Sequence, residues 1–223
     1  MKEYKVLNLY ACLGGNRYKW DEVAKEAGIN MQVTAVEWDE ELAKLYQERF
    51  PNDIVIVEDA HQYLLDHYQE HDFIWTSPPC PTHSRANFWA SVSVDTREKC
   101  FPDLRLYEEV IFLENWFKGK YVVENVIPYY EPLITAKKRG RHLYWTNFNL
   151  PNDLRDRRFA ISSAKQELKG LCRFHDYDFR KYKGGQSTVK IARNLVDYEA
   201  GKTIFETALN IQRKENTSQL SLL

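Results

Sequence analysis

Asp72-Phe73-Ile74-Trp75-Thr76-Ser77-Pro78-Pro79-Cys80-Pro81-Thr82-His83-Ser84 passes from a strand pattern into a stiff loop built around a cysteine. Residues 72–76 are aromatic and β-branched, the composition of a buried strand. Proline fixes φ, donates no hydrogen bond and restricts the residue before it, so the strand must stop at Pro78. Cys80 is thereby placed on a rigid turn at the carboxyl end of a strand. That edge is where open α/β sheets bind ligands. A thiol held there is a candidate nucleophile, and a small cysteine in a turn is the plainer reading until the neighbouring elements are considered.

Working outward, the upstream chain repeats the pattern. Lys5–Tyr10 reads as a first strand, followed by Ala11-Cys12-Leu13-Gly14-Gly15 and a helix from about Arg17 to Ala27, closed by Gly28. Strand, glycine turn and helix open a nucleotide-binding βαβ unit, in which the backbone comes close to the ligand and the helix N-terminus faces it. Residues 31–36 form a second strand that ends in Glu37-Trp38-Asp39, and Glu37 lies 22 residues past Gly15. An acid at that spacing meets ribose hydroxyls, and Trp38 offers a flat face to a purine. After a helix from about Asp39 to Arg49, residues 54–57 form a third strand ending in Glu58-Asp59. Polar and special residues therefore collect at one edge of the expected sheet.

Downstream, residues 85–101 are polar without a clean period and read as a mobile loop carrying Trp89 and Arg97. A helix is expected from about Asp103 to Phe117, with Leu106, Val110, Leu113 and Phe117 on one face. Residues 121–123 form a strand that ends in Glu124-Asn125-Val126. The cationic run Lys137–Arg141 leads into a further strand, residues 142–148. The fold class is thus α/β: a doubly wound, Rossmann-like sheet, mostly parallel, with helices on both faces and a small insertion. Residues 1–150 and 187–212 make the catalytic domain and residues 151–186 a short insertion of irregular structure. Residues 197–211 form a last amphipathic helix, and residues 213–223 a disordered tail.

The bounds agree with this. A chain of 223 residues is one domain or one domain with an insertion. No apolar run reaches membrane-spanning length. Cys12, Cys80, Cys100 and Cys172 form no CxxC pair, which argues against a zinc site and a disulfide scaffold and for a reducing, cytoplasmic setting. A net charge of −1 excludes a general polyanion binder. Three clusters still suit phosphates: residues 137–142; Arg155, Arg157 and Arg158; and Arg173 through Lys183. Ser84, Arg85, Arg97, Arg155, Arg173 and Lys183 are the candidate nucleic-acid contacts.

With these residues in place, the chain resembles the cytosine-5 DNA methyltransferase family, in a compact form of restriction–modification or phage type. Residues 10–15, Tyr10-Ala11-Cys12-Leu13-Gly14-Gly15, resemble its S-adenosylmethionine loop, with Cys12 where a first glycine is usual. Glu37-Trp38-Asp39 resembles the ribose-and-adenine motif, Asp59 the adenine contact, and Ser77-Pro78-Pro79-Cys80 the nucleophile loop, with Pro81 in place of a frequent glutamine. Glu124-Asn125-Val126 is similar to the Glu-Asn-Val motif and Arg139-Gly140-Arg141 to the Arg-x-Arg motif. Arg193-Asn194-Leu195-Val196 is similar to the last motif, which packs against the cofactor. The resemblance implies S-adenosylmethionine as cofactor, held by Tyr10, Cys12, Leu13, Gly14, Gly15, Glu37, Trp38, Asp59, Pro78, Asn194 and Val196. It implies methylation of cytosine carbon 5 in duplex DNA through a Cys80 adduct with the base flipped out, helped by Glu124, Arg139 and Arg141. No metal is implied, and a monomer is expected.

The family's long target-recognition region is here reduced to residues 151–186. Three other readings stay open: an RNA (tRNA-type) cytosine methyltransferase, for which residues 172–187 carry a loose likeness; a silent cofactor-binding subunit; and a dinucleotide oxidoreductase, which leaves Cys80 and Glu124 without a task. Gln219-Leu220-Ser221-Leu222-Leu223 resembles the bacterial sliding-clamp binding motif, so a clamp is a candidate partner.

Overall fold

The computed structural model describes residues 3–93, 101–154 and 163–211. In chain order the elements are β1 (Glu3–Leu9), α1 (Trp20–Ala27), β2 (Asn30–Val36), α2 (Glu40–Arg49), β3 (Ile54–Ile56), α3 (Ala60–His67) and β4 (Phe73–Thr76). There follow α4 (Arg85–Ser93), α5 (Arg105–Trp116), β5 (Lys120–Val126), β6 (Lys137–Arg139), β7 (His142–Thr146), α6 (Ala164–His175), α7 (Thr188–Asn194) and α8 (Tyr198–Ala208).

The strands make a seven-stranded sheet in the order β3-β2-β1-β4-β5-β7-β6. β1 to β5 are parallel, and β7 runs antiparallel between β5 and β6. Successive strand side chains point to opposite faces, and here both faces are covered. Leu7, Ile74 and Val123 join Leu106, Val110 and Leu113 of α5 and Leu64 of α3 in one core layer. Their chain neighbours Val6, Phe73, Trp75 and Val122 join Trp20 of α1 and Ile204 and Phe205 of α8 in the other. Trp20 lies 5.1 Å from Phe205 and 6.0 Å from Phe73 between ring centroids, within the range of aromatic pairing. Burial on both sides explains why the central strands read as continuous apolar runs.

Helix starts follow local chemistry. Asp39 caps α2 by accepting from the amides of Glu41 and Leu42, Asp59 caps α3 through Gln62 N, and Ser163 caps α6 through Gln166 N. Gly201, which interrupts the apolar pattern of α8, is buried against the backbone of Asn16, where a Cβ would collide. The doubly wound expectation therefore holds, with corrections to individual elements. Residues 85–93 form α4 rather than a loop. No side chain of α4 is buried, so periodicity carried no signal. The 163–186 part of the insertion is not irregular: α6 and a 3-10 turn at Phe179–Lys181 pack on α2 and the glycine loop through Leu171, Phe179, Leu13, Leu42 and Leu45. Glu124-Asn125-Val126 lies inside β5, paired with β7, because the antiparallel hairpin extends the strand. Lys137–Arg139 is the edge strand of that hairpin. The expectations for Arg97, Arg155, Arg157, Arg158, the tail residues 213–223 and the Gln219–Leu223 peptide lie outside the described residues.

Candidate active site

The carboxyl ends of β1, β2, β4 and β5 open into one cavity of about 470 Å³, within the span of roughly 300–1,000 Å³ usual for small-molecule sites. One end is built by the first two strand ends. The chain leaves β1 through two left-handed residues, Tyr10 (φ 54°) and Cys12 (φ 48°), and Gly14 (φ 65°). The left-handed Cys12 sits where glycine is the easier residue. The turn is fastened from outside: Cys12 N donates to Glu37 Oε2 (2.8 Å), and Asp39 N to Glu37 Oε1 (3.0 Å). Glu37 is buried, which raises its pKa, and these amides oppose that rise. Each of its oxygens keeps a lone pair for a ligand hydroxyl. Trp38, 75% exposed, lies beside it on the cavity wall. Gly15 packs on the last motif: a Cβ there would stand 2.5 Å from the carbonyl oxygen of Val196.

A brace holds this end from behind. Arg49 donates to Leu13 O (2.8 Å) and to His175 O at the end of α6 (2.7 Å), with its guanidinium 4.6 Å from the Tyr18 ring and 5.2 Å from that of Tyr177. Tyr182 Oη and Gln186 Nε2 each donate to Asp39 Oδ2 at 2.8 Å. The segment after α6 is therefore bound to the cofactor side of the sheet.

The other end carries the cysteine loop. His83 N and Ser84 N both donate to Cys80 O (3.0 Å each), and Asn125 Nδ2 donates to Pro78 O (2.9 Å), which pins the loop to β5. Burial pushes the Cys80 thiol up to about 11, with the charge of Glu124 adding to it and that of Lys190 opposing. Glu124, 8% exposed, lines the same cavity with Arg141, His142 and Tyr144.

Of the residues singled out in the sequence, Cys80, Glu124, Arg141, Tyr10, Cys12, Gly15, Glu37, Trp38, Pro78, Asn194 and Val196 line the cavity. Leu13 and Gly14 belong to the same turn but face the core, against α6–α7 and Phe50. Arg139 lies outside the cavity, its guanidinium donating to Pro151 O (2.6 Å), Leu150 O (3.0 Å) and Lys138 O (2.8 Å). Asp59 is spent on capping α3 and stands 3.7 Å from Arg105, away from the cavity. Ser84 and Arg85 tie the cysteine loop to Pro128. Arg173 and Lys183 are exposed on the segment packed against α2.

The sequence reading missed Asn8, Asn16, Gln186, Lys190 and Asp197 on the cavity wall and took His142 only as part of a phosphate cluster. His142 shares a strand face with Tyr144, two residues on, which also lines the cavity. Among the described residues no cluster of His, Cys, Asp and Glu could hold a metal ion, and no helix is long and apolar enough to cross a membrane.

A Rossmann-like sheet with β7 reversed, a glycine turn, a strand-end acid on its amides and a thiol across one cavity are the arrangement of an S-adenosylmethionine-dependent methyltransferase. Residues 4–110 match the family model of the C-5 cytosine-specific DNA methylase. The fold is similar to that of the Entamoeba histolytica methyltransferase EhMeth, at 10% identity and TM-score 0.52, over 96% of this chain and 100% of that one. A Spodoptera frugiperda DNMT2 mutant shares 14% identity over 86% of this chain and 84% of its own, at TM-score 0.41. No curated protein matches the sequence.

The cofactor of this family fits the first end of the cavity. Glu37 suits ribose hydroxyls, exposed Trp38 an adenine face, and Gly15 with Asn194 and Val196 closes the wall. When bound there, S-adenosylmethionine supplies an electrophilic methyl group.

Proposed function

We propose that this protein methylates carbon 5 of cytosine in DNA through a covalent Cys80 adduct, with the target base flipped out of the duplex. The observation that supports it is the sharing of one cavity by Cys80, Glu124 and Arg141 with the residues suited to the cofactor. Carbon 5 of cytosine is a weak nucleophile. Addition of the Cys80 thiolate at carbon 6 turns the ring into an enamine, and the thiol must first lose its proton to solvent. A thiol pushed up to about 11 stays protonated near neutrality, so this ionisation belongs to the substrate complex, where Lys190 favours the thiolate. Glu124, carrying its proton, donates to ring nitrogen 3 and relieves the charge that develops on addition. Arg141 holds the carbonyl oxygen at position 2. Loss of the carbon-5 proton and departure of Cys80 restore the aromatic ring. A base stacked within a duplex cannot bring carbon 6 against a thiol at the bottom of a cavity, which is why flipping is part of the proposal.

The test is a trap. With duplex DNA carrying 5-fluorocytosine, no carbon-5 proton can leave, and the protein should remain bound to DNA on a denaturing gel. A complex that persists in Cys80→Ser refutes the assignment. Adducts with 5-fluorocytosine tRNA and none with duplex DNA would make the substrate RNA.

A further inference from the structure

His142 has no part in the chemistry above, yet its Nε2 stands 3.6 Å from Glu124 Oε1 inside the cavity. The strand register explains the approach. In the β5–β7 ladder Glu124 pairs with Tyr144 and Val126 with His142, so His142 is the diagonal neighbour of Glu124 on the same face. Diagonal pairs lie within reach of long side chains. Glu124 is largely buried, while His142 is half-buried and open to the cavity.

We infer that His142 is a positioning residue that holds Glu124 and resupplies its proton. A distance of 3.6 Å is longer than a hydrogen bond, and catalytic bonds of this kind tighten when substrate fills the site. The step balances. The Cys80 sulfur forms its bond to carbon 6, and the ring's displaced electron pair is met at nitrogen 3 by the proton of Glu124. Glu124 Oε1 then takes a proton from Nε2 of the imidazolium, leaving neutral imidazole. On elimination, the carbon-5 proton leaves to solvent and the carbon–sulfur bond breaks; Glu124 passes its proton back to the imidazole as it takes the one from nitrogen 3, so both groups end as they began. Histidine suits this because imidazole both takes up and gives a proton through its ring nitrogens. The charged and titratable groups around it are Glu124 on β5, Arg139 opposite on β6, Arg141 and Tyr144 on its own hairpin, and Cys80 and Lys190 on the cavity wall.

This inference rests on the proposed role of Glu124. The experiment follows the rate of adduct formation with 5-fluorocytosine duplex, or with the matched RNA if that is the substrate, from about pH 6 to about pH 9, where an unperturbed imidazole titrates. Expected for His142→Gln is a loss of roughly tenfold in adduct rate below about pH 7, less than the roughly hundredfold or more of a direct general acid because His142 acts through Glu124. The gap in rate between wild type and His142→Gln should close as pH rises, and the affinity for S-adenosylhomocysteine should be unchanged. In a Glu124→Gln background the same substitution should cost less than about twofold, since residues acting through one another are not additive. A wild-type pH profile in His142→Gln, or full additivity with Glu124→Gln, overturns the inference while leaving the Cys80 mechanism standing. Lost S-adenosylhomocysteine affinity in both His142→Gln and His142→Asn makes His142 a wall of the cavity and overturns it too. A wild type that forms no adduct with either nucleic acid removes both readings together.

Discussion

Glu109 of α5 is fully buried (0% exposed) beneath the cavity, yet it makes no contact with it. Its Oε1 accepts from Tyr10 Oη (2.6 Å) and faces His61 Nδ1 (3.1 Å), while its Oε2 accepts from Thr76 Oγ1 (2.6 Å). One carboxylate thus joins the cofactor turn, through Tyr10, to the strand end that launches the cysteine loop, through Thr76. Glu109→Ala removes three partners at once and leaves two hydroxyls and a ring nitrogen to find others. Hydrogen bonds to a charged group contribute about 1.5–3 kcal/mol each, and breaking a buried charged cluster by truncating one member costs about 3–5 kcal/mol once relaxation and water entry are counted. At about 2–4 °C per kcal/mol for a chain of this size, Tm should fall by roughly 10 °C.

The loss should also depend on pH. Glu109 is the main reason that the His61 pKa is raised above its ordinary value. A group raised by folding adds stability that is complete below its unfolded pKa, near about 6.5, and is lost as pH rises through the higher folded value. The Tm gap between wild type and Glu109→Ala should therefore be wider near about pH 5.5 than near about pH 8.5. Differential scanning calorimetry at both values measures it. A Tm within about 2 °C of wild type, which is less than about 1 kcal/mol, refutes the clamp. A gap that widens at the higher pH refutes the His61–Glu109 coupling.

Because burial pushes the Cys80 thiol up to about 11, its alkylation by iodoacetamide, followed by mass spectrometry, should still be accelerating at about pH 9.5, above the ordinary cysteine value. Lys190→Met should slow it further, and a plateau near about pH 8.5 would show an unperturbed thiol. Gly15→Ala sets a methyl against the Val196 carbonyl. An overpacked contact of that kind costs about 1–3 kcal/mol, so titration calorimetry should find S-adenosylhomocysteine binding weakened about tenfold or more, and wild-type affinity would mean that the contact relaxes freely. Trp38→Ala should leave Tm nearly unchanged, since the ring is 75% exposed, and still weaken the same ligand by several-fold, about 1 kcal/mol of stacking. Surface plasmon resonance on purified sliding clamp should show binding by the full chain and none by residues 1–211. Equal binding by the two, or none by either, dismisses the clamp peptide.

The sheet, its direction and the edge that carries the chemistry were legible in the sequence, because they depend on local patterns. Proline ends β4 before Cys80, and glycines and a following helix mark the first turn; Asp59, read as an adenine contact, instead caps α3. Cys80, Glu124, Glu37 and Trp38 were found on the same ground, as residues standing at strand ends. The hairpin was decided elsewhere. Pairing with β7 draws Glu124 inside a strand, sends Arg139 to the carbonyls of Leu150 and Pro151, and leaves Arg141 and His142 on the cavity wall. None of those directions is visible before the register is known, since a one-residue slip reverses every side chain. The helical character of α4 was hidden because a helix with no buried face shows no apolar period. Lys190, Gln186 and Asp197 reach the site only after α6, α7 and α8 fold back over the first turn. Contacts between segments more than a hundred residues apart in the chain leave no local pattern, and tertiary packing alone determines them.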